Sequence, residues 1–178
     1  MPAIVGSLLI AAAAAVVVLL CALGYVKAPP DQAYIISGLR KKTVIGRSCI
    51  RIPFLERLDK LSLKMISVDV KTSSFVPTAE YINITVDAAV KIKISTQGDL
   101  LSIAAENFLN RDEAYIIAQT QDVLEGNMRE IIGQMRLEEM VTNRKAFAEK
   151  VQENAVPDLR HMGLEIISFN VQSFSDQN

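Results

Sequence analysis

The pattern of apolar and polar positions divides the chain into three regimes. From Met1 to Val26 no charged side chain appears, and Ala, Val, Leu and Ile dominate. From Gln32 to Ser95 apolar residues recur mostly at every second position, and from Asp99 to Met162 they recur at helical spacing. The first regime predicts a transmembrane helix over Ala3–Val26. Its 24 residues reach about 36 Å, enough to cross a ~30 Å hydrocarbon core with some tilt. A cleaved export signal is the competing reading. Against it, no Lys or Arg precedes the run, its apolar part is too long, and Leu20 rather than a small residue stands before Cys21. A retained span is expected.

In the second regime Lys27–Pro30, with Ala28-Pro29-Pro30, reads as a short stiff linker. Gln32–Ser37, Lys42–Ile45 and Ser48–Ile52 read as strands, the last with Ile50 and Ile52 inward and Arg51 outward. Leu61, Leu63 and Met65 share one parity, while Ile66, Val68 and Val70 share the other, which predicts a bulge or corner near Met65–Ile66. The clearest strand is Tyr81–Ser95. Ile82, Ile84, Val86, Ala88, Val90, Ile92 and Ile94 fall on one side of it, and polar residues dominate the other.

The third regime predicts a short helix over Asp99–Asn107, with Thr96 or Gly98 near its start, and a main helix over Asp112–Gln134. The stripe of the main helix runs Ile117, Leu124, Met128, Ile131 and Met135, with Val123 and Ile132 beside it. Gly126 and Gly133, seven apart, suggest close backbone approach or a kink at Gly133. Thr142 or Asn143 caps a last helix whose stripe is Phe147, Val151, Ala155, Leu159 and Met162; Pro157 should kink it and Gly163 should end it. Leu164–Phe174 then alternates as a final strand, with Ile167, Phe169 and Val171 on one side. Strands first, helices next and one strand last favour an α+β domain over a doubly wound sheet.

Net charge is −1 and says nothing about partners, but its distribution does. Lys27–Ile94 holds 12 basic and 6 acidic residues, a net of +6; Ser95–Asn178 holds 7 against 14, a net of −7. No basic residue precedes the span, whereas Lys27, Arg40, Lys41, Lys42 and Arg47 follow it. That bias places the soluble part on the cytoplasmic side of a single-pass protein with its N-terminus outside. The same five residues are candidates for contact with anionic headgroups. The charge split would also let the basic half of one copy meet the acidic half of the next, with Glu125 and Glu130 in the main helix as candidate self-association residues.

Signals for chemistry are missing. His161, the only histidine, lies in a last helical turn where it suits the helix dipole. No Gly-x-Ser-x-Gly elbow, phosphate loop or metal-ligand spacing is present, so no catalytic, metal or cofactor-binding residue is assigned and no cofactor is expected. Cys49, left alone by Cys21 in the span, reads as a small buried hydrophobe. The Arg40-Lys41-Lys42 run has no interleaved aromatic residues, and the chain has no Trp, which points away from nucleic acid.

Several longer segments then carry a resemblance: IPFLERLDKLSLKMISVDV, TAEYINITVDAAVKIKIS, AAENFLN, DVLEGNMREIIGQMRLEEMVTNRKAFAEKV and DLRHMGLEIISFNVQSFSD. Together with the leading hydrophobic span, they make the chain similar to the SPFH superfamily (stomatin, prohibitin, flotillin, HflK/C; also Band 7), and most to its flotillin branch. The resemblance implies a membrane-proximal α+β domain in two sub-parts, here 31–95 and 96–178. It also implies ring- or cage-like homo-oligomers and a scaffold role in membrane microdomains (lipid rafts) rather than catalysis. Association with an NfeD-like membrane protein or a membrane protease is implied too, and a regulatory ring subunit enclosing such a protease is the alternative function. Two departures stand out. The long Ala/Glu-rich coiled coil with which flotillins continue is not in this sequence, and Tyr81 stands where relatives often carry a small or acidic residue, with an expected effect on local packing only.

Overall fold

The computed structural model describes residues 15, 24–38, 42–50 and 55–176. Among these no helix is long and apolar enough to cross a membrane, and most of the span expected over Ala3–Val26 lies outside the described residues. Its last two residues are corrected. Tyr25 and Val26 belong to a strand, β1 (Tyr25–Lys27), because Ser48–Ile50 supplies an antiparallel partner for their backbone.

The chain divides into two compact units, Met1–Ser62 and Leu63–Asn178. The division falls at Ser62 rather than after Ser95, since the long strand is hydrogen-bonded to the last strand of the chain and goes with it. Charge follows the same division. The first unit holds 8 basic and 3 acidic residues, net +5, and the second 11 and 17, net −6.

The first unit contains two small antiparallel sheets. β1 pairs with β4 (Ser48–Ile50), and β2 (Gln32–Ser37) lies between β3 (Lys42–Ile45) and β5 (Arg57–Ser62). Ala33, Tyr34, Ile35 and Ile36 are all buried, so β2 is covered on both faces, as a central strand of continuous apolar sequence should be. The expected linker is built into this unit. Ala28 is buried, its amide donates to the Arg47 carbonyl at 3.0 Å, and Gln32 closes a turn onto Pro29. The inward placement of Ile50 is also corrected. Val26 and Cys49 are the half-buried positions of the ribbon, and Ile50, one residue on, points outward. Ile52 and Arg51 lie outside the described residues.

The second unit is built on β8 (Asn83–Ile94). One edge of β8 carries β6 (Ile66–Lys71) and then β7 (Val76–Pro77); the other carries β9 (Leu164–Asp176) along almost its whole length. Ile84, Val86, Ala88, Val90, Ile92 and Ile94 are buried, together with Ile66, Val68 and Val70 of β6. The expected parity change takes the form of a break: β5 ends at Ser62, β6 begins at Ile66, and Met65 between them is exposed. Four helices follow: α1 (Leu100–Phe108), α2 (Glu113–Gln134), α3 (Leu137–Thr142) and α4 (Arg144–His161). α2 packs on β6 and β7, and α4 on β9 and α2, with Phe147 and Phe174 meeting edge to face at 5.6 Å.

Asp112 and Asn143 cap α2 and α4, accepting from the amides of Tyr115 and Ala146. The buried stripe of α2 is Ile116, Thr120, Leu124, Asn127, Met128, Ile131 and Ile132; Ile117 and Val123 are only half-buried. Thr120 and Asn127 fit inside it because both find partners: Thr120 donates to the Ile116 carbonyl, and the Asn127 amide donates to the Val123 carbonyl and to Asp158 of α4. A Cβ at Gly126 would meet nothing within 4 Å and one at Gly133 only the Pro77 carbonyl at 4.0 Å, so neither marks a close approach. α4 is continuous through Pro157. Gly163 ends the turn after α4 with φ +81°, and a Cβ there would lie 2.5 Å from both the Leu100 carbonyl oxygen and the Ala104 nitrogen of α1.

The inward face of β9 differs from a simple alternation. Its register slips twice against β8, so that Ile167 and Gln172 are extra residues. Leu164, Ile166, Phe169, Val171 and Phe174 thus face the core opposite Ile94, Ile92, Val90, Ala88 and Val86, while Ile167 is exposed. The long strand likewise begins at Asn83, not Tyr81. Tyr81 is 89 % exposed with φ +63°, at the corner of a turn in which Thr78 Oγ1 accepts from the amides of Glu80 and Ile82.

Candidate functional site

The basic residues expected at a membrane surface all fall in the first unit. Lys27 is exposed at the end of β1 with Ser48 as its cross-strand partner, and Arg47 is exposed in the turn that leads into β4. The Ala28–Arg47 backbone bond holds these two cations at one end of the ribbon. Lys42 is exposed at the start of β3, three residues and about 10 Å of strand before Ile45. Arg40 and Lys41 lie outside the described residues.

The register adds two residues that the apolar pattern concealed. Tyr25 and Ile50 are Cα partners and are 58 % and 61 % exposed. Strand alternation puts Tyr25, Lys27, Ser48 and Ile50 on the outward face of the ribbon and Val26 and Cys49 on the other. In the sequence Tyr25 is continuous with the uncharged run, and the alternation of Ile50 with Arg51 and Ile52 points it inward. The pairing of two segments 25 residues apart, which brings them together, leaves no local signal.

The acidic candidates lie on α2 in the second unit. Glu125 Oε1 accepts from the Ser73 amide and hydroxyl at 2.8 and 2.7 Å and from Arg129, whose guanidinium also donates to Ser73 and Ser74. Burial by itself would raise the Glu125 carboxyl, but these Ser73 bonds and Arg129 hold it below its ordinary range. Glu130 accepts from Gln134 on its own helix and from Asn154 of α4 at 2.9 Å. Both carboxylates therefore serve contacts within the unit. Beside Tyr81, Glu80 pairs with Arg136 at 2.6 Å, which raises the guanidinium pKa.

A hollow of about 370 Å³ opens between Ile84, Leu137, Val141, Phe174, Ser175 and Asp176. Among the described residues its lining offers one carboxylate and one hydroxyl, with no imidazole, thiol or amine beside them. Among the described residues no group of three or more His, Cys, Asp or Glu side chains could hold a metal ion.

The family described as SPFH domain / Band 7 matches residues 26–177. The chain is 32 % identical over 153 residues to Flotillin-2 of Carassius auratus, covering 83 % of this chain and 36 % of that protein. It is 33 % identical over 168 residues to the flotillin-like protein FloT of Bacillus subtilis, covering 86 % and 33 % respectively. With Flotillin-1 of Drosophila melanogaster the identity is 31 % over 158 residues, covering 86 % and 37 %. The chain spans about a third of the length of these curated relatives.

Proposed function

This chain belongs to the SPFH domain / Band 7 family, and from that premise we propose that it is a non-catalytic, membrane-anchored scaffold of the flotillin kind. In this reading residues 3–24 cross the bilayer, the rest lies on its cytoplasmic surface, and copies pack side by side to organise a membrane microdomain. The similarity to flotillins over most of the chain carries the proposal. The uncharged run that leads into a unit of net +5 supports the orientation, since basic residues are retained on the cytoplasmic side and drawn to anionic headgroups. The net −6 of the second unit supports packing of unlike units between neighbours, a contact that salt should weaken.

Protease added to sealed cells should leave the domain intact, whereas the same protease should digest it in inverted vesicles. Digestion in sealed cells would overturn the orientation. Cross-linking between copies on vesicles should fall as salt rises; constant cross-linking across a wide salt range would overturn electrostatic side-by-side packing.

A further inference from the structure

The outward face of the β1–β4 ribbon combines features that separately mean little. Single exposed apolar residues are ordinary on protein surfaces. Here, however, the first unit exposes only three large hydrophobic residues among those described, Tyr25, Ile50 and Leu55, and two of them are directly opposed in one ladder. Opposed Cβ atoms in such a ladder lie about 5 Å apart, so Tyr25 and Ile50 form one continuous patch. At the other end of the same short ribbon stand Lys27 and Arg47. An apolar end with an amphipathic tyrosine, followed by cations, matches the polarity gradient from acyl chains to phosphate headgroups.

We propose that this face is a bilayer-contact surface, with Tyr25 and Ile50 entering the interfacial region, and Lys27 on the face and Arg47 in the turn beside it lying against anionic phospholipid headgroups. The proposal rests on the membrane reading above and adds the surface on which the domain sits. Chain continuity selects a bilayer as the occupant. The uncharged run that begins at Met1 continues through Tyr25 to Val26, so a bilayer holding the earlier part of the run would have Tyr25 at its interface. The register then fixes Ile50 at the same depth, although 25 residues of chain separate the two. Net charge adds to this, since the unit that carries the ribbon is the basic one.

Ile50 gives the decisive test, because Tyr25 would be drawn to the membrane by the preceding run whatever the ribbon did. The chain contains no Trp, so Ile50→Trp supplies a single reporter at an exposed position. The full chain would be reconstituted in vesicles of phosphatidylcholine and phosphatidylserine, recovered by flotation, and compared with a Tyr81→Trp reference in the second unit. The expected result is a blue-shifted Ile50→Trp emission, quenched by brominated acyl chains and protected from aqueous iodide. Adding Lys27→Ala and Arg47→Ala should reduce the lipid quenching on anionic vesicles and leave it unchanged on pure phosphatidylcholine. A chain that floats while its Ile50→Trp emission stays iodide-sensitive and insensitive to brominated lipid overturns the contact surface and leaves the membrane reading standing. A chain that does not float overturns the membrane reading itself. Equal quenching with and without the two cations overturns the headgroup assignment.

Discussion

The Ser73 hydroxyl and amide converge on one oxygen of Glu125, at 2.7 and 2.8 Å, and so tie the loop after β6 to the middle of α2. Arg129 closes the arrangement from the next turn of the helix, 2.8 Å from the same oxygen. The network sits near the surface, so its contribution is modest, roughly 1 kcal/mol or less at neutral pH.

Its pH dependence has a definite sign. The folded pKa of Glu125 lies below its ordinary value of 4.5, so the stabilisation is present above that value and lost as pH falls through the folded pKa. Glu125→Gln should therefore have a lower urea midpoint than the parent at neutral pH, and the gap should close as the solution is acidified below the ordinary carboxylate range. A gap that stayed constant into acid would show that Glu125 acts by shape alone.

Gly163→Ala should destabilise the second unit by about 2–4 kcal/mol, measured as a shift in the denaturant midpoint. The residue adopts a left-handed conformation, and its added methyl would collide with backbone atoms of α1, which cannot yield as a side-chain tip would. A loss below about 1 kcal/mol would mean that α1 moves freely against the turn.

Tyr81→Gly should act in the opposite direction. Tyr81 holds a positive φ that costs a side-chain-bearing residue about 1 kcal/mol, and with its ring in solvent it recovers little by packing. The glycine variant should be as stable as the parent or up to about 1 kcal/mol more stable. A clear loss of stability would show that the ring makes contacts outside this turn.

The regular parts of the fold were legible because their signals are local. Burial of every second residue on one side of β8 follows from its sequence alternation, and Phe147, Val151, Ala155 and Leu159 sit where their spacing places them. Elsewhere a second segment decides the outcome. The inward face of β9 depends on two register shifts that only pairing with β8 creates, which is why Ile167 points out and Ile166 and Phe174 point in. The stripe of α2 reads as centred on Ile117 because Thr120 and Asn127 look polar until the bonds from Thr120 to Ile116 and from Asn127 to Val123 and Asp158 are known. The short helix α3 leaves no mark in the sequence, since six residues carry too little periodicity to register. At the candidate surface, the sequence showed the cations Lys27, Lys42 and Arg47, but it could not show that Lys27 and Arg47 share one end of a ribbon with Tyr25 opposite Ile50.

The two extra residues in β9 also bear on solubility. Among the described residues β9 pairs with β8 alone, so its other side presents a 13-residue edge of the kind that recruits stray strands. A second chain trying to zip along that edge would lose step at Ile167 and again at Gln172, which divides the edge into stretches of at most four residues. The irregularity that hides the strand's inward face from the sequence thus also makes this edge a poor template for a second strand.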